Sequence, residues 1–206
     1  MPESAPCLAA VLAAGLSRRM GAQKLLLDVA GRPLLARTVA RVALLTGQAP
    51  LVVVPPDGAV AALALREGWR TAVNPAPADG MASSLKIAVG VGAKGQVPLL
   101  VFLGDQPDVE EEAVRCVLAA PRGRERVLAV QPFYRGTPSH PVLLFPGLFP
   151  ALMTLRGDSG ARSVLETLDA EELLVVPFDR PPPLDIDTPD DYSALRDRDG
   201  GGGARR

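Results

Sequence analysis

Cysteine is nearly absent. Cys7 and Cys116 are the only two in 206 residues, with no CxxC spacing and no second pair, which argues against a disulfide framework and a thiolate metal site and leaves two buried free thiols. An excess of charge is missing too: 22 lysines and arginines face 23 aspartates and glutamates. No general phosphate-coating surface for DNA or RNA follows from that balance, so any basic site must be local. No uninterrupted run of about 18 apolar residues occurs, which speaks against a membrane span. The alanine-rich stretch from Cys7 to Leu16 lacks the positive charge that precedes the core of a signal peptide. Glu3 stands before it, and Arg18 and Arg19 follow it, the reverse of the export order. A cytoplasmic location is therefore expected. Histidine occurs once, at His140, so a mechanism built on a histidine base has one candidate. No internal repeat is visible.

What is present is apolar and alternating. Hydrophobic residues make up 48% of the chain, enough for one substantial core, and a single domain over residues 1–195 is expected. The tail at 196–206, RDRDGGGGARR, has nothing apolar to bury and is expected to be disordered. Leu8–Ala13, Leu51–Val54, Thr71–Val73, Pro98–Leu103, Val127–Val130 and Leu173–Val176 are near-continuous apolar runs, the pattern of strands buried on both faces. Between them, Pro33–Leu45, Gly58–Glu67, Ser83–Val91, Glu110–Ala119 and Ser159–Leu168 have helical spacing, with Pro33 at a first-turn position and Ser83 or Asp158 as caps. The alternation predicts an α/β fold with a mostly parallel sheet between helical layers. The stretch QPFYRGTPSHPVLLFPG, residues 131–147, holds four prolines and two glycines and predicts an excursion from parallel order, an antiparallel edge. Ligands of such sheets bind beyond the carboxyl ends of the strands, so the segments that follow strands are where chemistry is sought.

Three such segments stand out. In VLAAGLSRRMGAQKLL, Ala14, Gly15, Ser17 and Gly21 let the backbone approach a ligand closely, and Arg18, Arg19 and Lys24 supply positive charge suited to a polyphosphate. The spacing is neither a Walker A loop nor a dinucleotide GxGxxG; a plain surface loop is the competing reading. In VFLGDQPDV, Asp105 follows an apolar strand and faces the same crevice, where a carboxylate suits Mg²⁺; a turn aspartate before Pro107 is the alternative. In PPLDIDTPDDY, extended alternation places Asp185 and Asp187 on one face. Asp190 and Asp191 fall in the first turn of a last helix, where they complement its dipole, and Asp187 with Thr188 could serve as its cap.

LAAGLSRRMGAQKLL, GMASSL, GDQP, GTPSHPV, GDSGAR and DIDTPDDY, in this order from about residue 8 to 192, resemble the molybdenum cofactor cytidylyltransferases, within the wider family of molybdopterin nucleotidyltransferases. One departure is Gln23, where relatives often carry Asn or Asp before the lysine. The resemblance implies a three-layer Rossmann-like nucleotidyltransferase fold and transfer of CMP from CTP to the phosphate of molybdopterin, with pyrophosphate released. It further implies that Leu12, Ala13, Ala14, Gly15, Ser17, Ser84 and Gly104 line the nucleotide and that Arg19 and Lys24 hold its triphosphate. Asp105 and Asp187 would hold Mg²⁺, or Mn²⁺ in its place. His140, Asp158, Ser159, Gly160 and Arg162 would face the pterin substrate, the last four through a helix start whose free N–H groups suit an anion.

No protein base is required by such a reaction, since a phosphate monoester with a second pKa near 6 is largely a dianion at neutral pH. Two carboxylates held close would repel without a cation between them. A guanylyltransferase of the same family would share the fold, with LAGG where this chain has Ala14. Sugar-phosphate and methylerythritol-phosphate cytidylyltransferases share the arginine-rich loop but not GDQP or GDSGAR. A non-catalytic carrier that hands finished cofactor to a recipient molybdoenzyme is a further reading, opposed by the retention of both Asp105 and Asp187.

Overall fold

A computed structural model describes residues 7–15 and 23–200. Along the chain lie β1 (Leu8–Leu12), a hairpin of β2 (Asp28–Val29) and β3 (Arg32–Pro33), α1 (Leu34–Thr46), β4 (Leu51–Val54), α2 (Gly58–Arg66), β5 (Thr71–Val73) and α3 (Met81–Gly95). They are followed by β6 (Leu99–Leu103), α4 (Glu111–Ala119), β7 (Ala129–Tyr134), β8 (Thr137–Pro138), β9 (Val142–Leu144), α5 (Phe149–Met153), α6 (Arg162–Leu165), β10 (Leu173–Phe178) and α7 (Pro189–Gly200). The main sheet runs β10-β7-β9-β6-β1-β4-β5, with β8 attached to β7.

The continuous apolar strands are buried on both faces, and alternate residues feed two cores. Ala9, Val11, Val52, Val54, Leu100 and Phe102 pack against Leu35, Val39 and Val42 of α1, Val60 and Leu63 of α2 and Val114 and Val117 of α4. Leu8, Ala10, Leu51, Val53, Leu99 and Val101 pack on the other face against Leu85, Ala88 and Val89 of α3 and Leu152 of α5. The result is the expected α/β arrangement of helical layers on either side of a mostly parallel sheet. β1 pairs in parallel with β4 and β6, β4 with β5, and β7 with β10.

Three expectations change. β9 is antiparallel, but it lies inside the sheet, paired with both β6 and β7. Val142, Leu143 and Leu144 are all buried and offer no polar face to an open edge, where unpaired backbone groups would also stand exposed. The helix expected over Ser159–Leu168 shrinks to the four residues of α6. The chain at Arg196, expected to begin a disordered tail, is still helical, because α7 runs on to Gly200. Cys7 and Cys116 are free, half-buried thiols, and burial pushes the Cys7 thiol above its ordinary pKa. Among the described residues no helix is long and apolar enough to cross a membrane.

The last segment closes the fold. Ile186 is fully buried with Val29, Leu34 and Leu195, and its N–H donates to the carbonyl of Asp105 at 3.2 Å. Thr188 starts α7: its Oγ1 accepts from the N–H of Asp191 at 3.2 Å, while Oδ2 of Asp191 accepts from the N–H groups of Thr188 and Asp187 at 2.7 and 3.1 Å. That is a reciprocal cap, and the donations from Thr188 hold the Asp191 carboxyl below its ordinary pKa. With Thr188 and Asp191 as the cap, the side chain of Asp187 serves elsewhere.

Candidate active site

At the carboxyl ends of β1 and β6 the sheet opens into a cleft of about 490 Å³. Leu12, Ala14, Gly15, Lys24, Leu103, Gly104 and Asp105 line one part of it, with Asp185 and Asp187 from the segment before α7; Pro77, Ala78, Gly80, Met81, Ser84 and Asp158 line the rest. The charged centre is compact. Nζ of Lys24 donates to Oδ2 of Asp105 and to Oδ1 of Asp187, each at 2.6 Å, so the two carboxylate oxygens lie within twice that distance of each other. The side chains of Lys24 and Asp105 are 15% and 18% exposed, whereas Asp187 is 49% exposed. Burial pulls the Lys24 pKa down, but Asp105 and Asp187 outweigh it and hold the ammonium above its ordinary value. The cation that two close carboxylates require is thus Lys24 itself.

A third carboxylate stands beside them. Oδ1 of Asp185 accepts a hydrogen bond from Nε2 of Gln106, whose side chain belongs to a residue only 4% exposed. Burial raises the Asp185 pKa against the Gln106 hydrogen bond, and the neighbouring charges of Asp105 and Asp187 add to the rise. Among the described residues no group of three or more His, Cys, Asp or Glu could hold a metal ion on its own. Asp105 and Asp187 nevertheless fit a hard cation such as Mg²⁺, which usually takes one or two carboxylates and completes its shell with substrate phosphates and water.

The other wall is built by backbone. Asn74, 1% exposed, donates from Nδ2 to the hydroxyls of Ser83 and Ser84 at 2.7 and 3.0 Å and accepts from the N–H of Ala76. This fixes the Ser84 hydroxyl at the cleft. Oδ1 of Asp158 accepts from the N–H of Met81, and the carbonyl of Gly157 from the N–H of Ala82. Asp158 therefore caps α3 across the cleft, not the helix that follows it in sequence. Gly80, at φ +86°, makes this contact achievable, because a Cβ there would stand 2.4 Å from Oδ1 of Asp158 and 2.5 Å from the backbone carbon of Gly157. Gly80→Ala is expected to destabilise the protein by about 1–3 kcal/mol, the scale of an overpacked contact that backbone cannot relieve, measured as a lower denaturation midpoint.

The structure thus gathers Leu12, Ala14, Gly15, Lys24, Ser84, Gly104, Asp105, Asp158 and Asp187 at one cleft. Ala13 is turned into the core instead, and Gly104 is small because a Cβ would meet Leu35 at 3.0 Å and the carbonyl of Leu12 at 3.1 Å. His140, Ser159, Gly160 and Arg162 do not line the cleft. Arg162 is exposed and paired with Glu166 at 2.8 Å, and α6 begins only at Arg162, so the expected anion-binding helix start is not formed. Gly160 packs on Met81, whose sulfur would lie 2.9 Å from a Cβ there. His140 sits just before antiparallel β9, which brings it to the carboxyl end of β6. Burial pushes its pKa down to about 4 despite the nearby charge of Asp105, so it is neutral near pH 7. Ser17 and Arg19 lie outside the described residues. Pro77, Ala78, Met81 and Asn74 were not singled out from sequence.

A mostly parallel α/β sheet with paired carboxylates and a lysine at the carboxyl ends of β1 and β6 is the architecture of a nucleotidyltransferase, an enzyme that transfers nucleotides. Residues 9–181 match the MobA-like NTP transferase domain, and the chain belongs to that family. It is 32% identical over 173 residues, 83% of either chain, to a protein of Deinococcus radiodurans described as a probable molybdenum cofactor guanylyltransferase. The crystal structure of Rv0371c from Mycobacterium tuberculosis H37Rv is 27% identical, with a TM-score of 0.77 over 95% of this chain and 99% of that one. A complex of Rv0371c with manganese is 25% identical, with a TM-score of 0.72 over 93% and 98% of the two chains.

Proposed function

We propose that this enzyme transfers CMP from CTP to the phosphate of molybdopterin, forming molybdopterin cytosine dinucleotide and pyrophosphate, for delivery to a molybdoenzyme. The acceptor is supported by the description of the Deinococcus relative together with the six ordered motifs. The choice of base rests on one observation. Ala14 is 1% exposed and lines the cleft beside Gly15, so its methyl group narrows the space where the guanylyl-transferring pattern LAGG carries glycine. Transfer from GTP is the second reading, and the description of that same relative favours it.

Lys24 neutralises triphosphate charge, a role Arg19 shares in this reading, and the backbone of Ala14 and Gly15 lets the phosphates approach closely. Asp105 and Asp187 would hold a divalent ion, for which Mg²⁺ is the natural choice; the manganese complex of the similar protein Rv0371c supports a divalent ion here. When bound, such an ion withdraws charge from the phosphates and stabilises the transition state. The acceptor phosphate attacks as a dianion, so the residues position and neutralise, and none need abstract a proton. His140, neutral and off the cleft wall, is not used as a base.

Pyrophosphate release with molybdopterin and Mg²⁺ is expected to be faster with CTP than with GTP. Ala14→Gly should narrow that preference by about 1–3 kcal/mol, the worth of one methyl-sized difference in a pocket, read from the ratio of kcat/KM values. Equal rates for the two nucleotides in the unmodified enzyme would overturn the cytidylyl reading, and faster transfer from GTP would establish the second.

A further inference from the structure

Asp105 and Asp187 approach the cleft on segments that are far apart in the chain, and carboxylates that share a hard cation need a fixed spacing. Two ties join those segments next to the carboxylates themselves. The N–H of Ile186 donates to the carbonyl of Asp105 at 3.2 Å, and Nε2 of Gln106 donates to Oδ1 of Asp185 at 2.5 Å. Each tie involves a direct chain neighbour of Asp105 or Asp187. Gln106 is buried at 4% exposure and Ile186 at 0%, so both ties have one end anchored in the fold. Gln106 and Asp185 have no assigned part in substrate contact.

We propose that Gln106 and Asp185 form a positioning pair that sets the spacing of Asp105 and Asp187, and so governs how tightly those two residues hold the divalent ion with the nucleotide. This rests on the metal–nucleotide reading of the cleft given above. Gln106 acts through its amide, which draws the 185–187 segment against the end of β6. Asp185 acts as the acceptor of that hydrogen bond, with no contact to the ion required of it. An asparagine at 185 retains one acceptor oxygen for Gln106 while losing the charge and exchanging the other oxygen for an amide NH₂, whereas alanine loses the acceptor. The two substitutions therefore separate positioning from electrostatics.

The test is Mn²⁺ binding in the presence of CTP, followed by water-proton relaxation, which distinguishes protein-bound Mn²⁺ from Mn²⁺ on free nucleotide, for the unmodified enzyme, Gln106→Leu, Asp185→Ala, Asp185→Asn and the double variant Gln106→Leu/Asp185→Ala. Loss of an outer-shell partner weakens metal affinity by about 10–100-fold, and that loss is expected for Gln106→Leu and for Asp185→Ala. The double variant should be no worse than either single, because both remove one bond. Asp185→Asn should keep affinity near that of the unmodified enzyme. Circular dichroism of each variant confirms that it is folded, and Asp185→Asn keeps the test decisive where Asp185→Ala does not fold. Unchanged affinity in Gln106→Leu would overturn the proposal and leave the metal–nucleotide reading standing, as would Asp185→Asn falling as far as Asp185→Ala, since charge and not position would then matter. An unmodified enzyme that binds no Mn²⁺ with either CTP or GTP would overturn both.

Discussion

Asp105→Asn and Asp187→Asn are each expected to lower nucleotidyl transfer by roughly 10²-fold or more, the scale of losing one preorganised electrostatic element. Each substitution preserves shape and removes a hard anionic oxygen from the pair that meets at Lys24. Because both residues would act through one ion, the double variant should be little slower than either single. Stability is expected to change much less than rate. No gain from relieved repulsion is expected either, since the ammonium of Lys24 already lies between the two carboxylates. Single-turnover transfer with Mg²⁺ titrated for each variant is the measurement. Near-normal transfer by either single variant at low Mg²⁺ would remove that residue from the ion's coordination.

Lys24→Ala is expected to have an effect of similar size for two reasons. The triphosphate loses a neutralising charge, which by itself is worth roughly 10²-fold in rate, and Asp105 and Asp187 are left facing each other without their cation. The second effect has its own readout. Without divalent ion, the Lys24→Ala protein should melt below the unmodified one, and Mg²⁺ should raise its melting temperature more than it raises that of the unmodified protein, since an ion that binds the native state stabilises it in proportion to its affinity. Equal responses to Mg²⁺ would show that Lys24 and the ion do not compete for the carboxylates.

The sheet was legible because its strands are apolar on both faces, and few structures other than a parallel sheet between helical layers bury such runs. The position of β9 was not. Three apolar residues among prolines fit an edge or an interior strand equally, and only its pairing with both β6 and β7 decides. Lys24, Asp105 and Asp187 were recognisable as charge placed after strands, yet their direct contact was not, because it depends on how segments far apart in sequence dock. Asp158 was read correctly as a helix cap and assigned to the wrong helix: local spacing names the following helix, whereas its oxygen reaches Met81, 77 positions back in the chain. Asn74 gave no signal, since its role lies in hydrogen bonds to the hydroxyls of Ser83 and Ser84 that only the fold brings within reach.

The central ion pairs span 81 and 163 positions of sequence. A chain made from its amino end can assemble β1, β4 and β6 well before Asp187 has been synthesised, so every nascent form short of that residue carries Lys24 and Asp105 without the third member. Closing such long loops costs only slightly more entropy than closing shorter ones, but it is deferred until the carboxyl-terminal segment docks. If Asp187 acts as proposed, catalytic competence is a late event in biogenesis, reached only when the carboxyl-terminal segment brings the third charged group to the pair formed by Lys24 and Asp105.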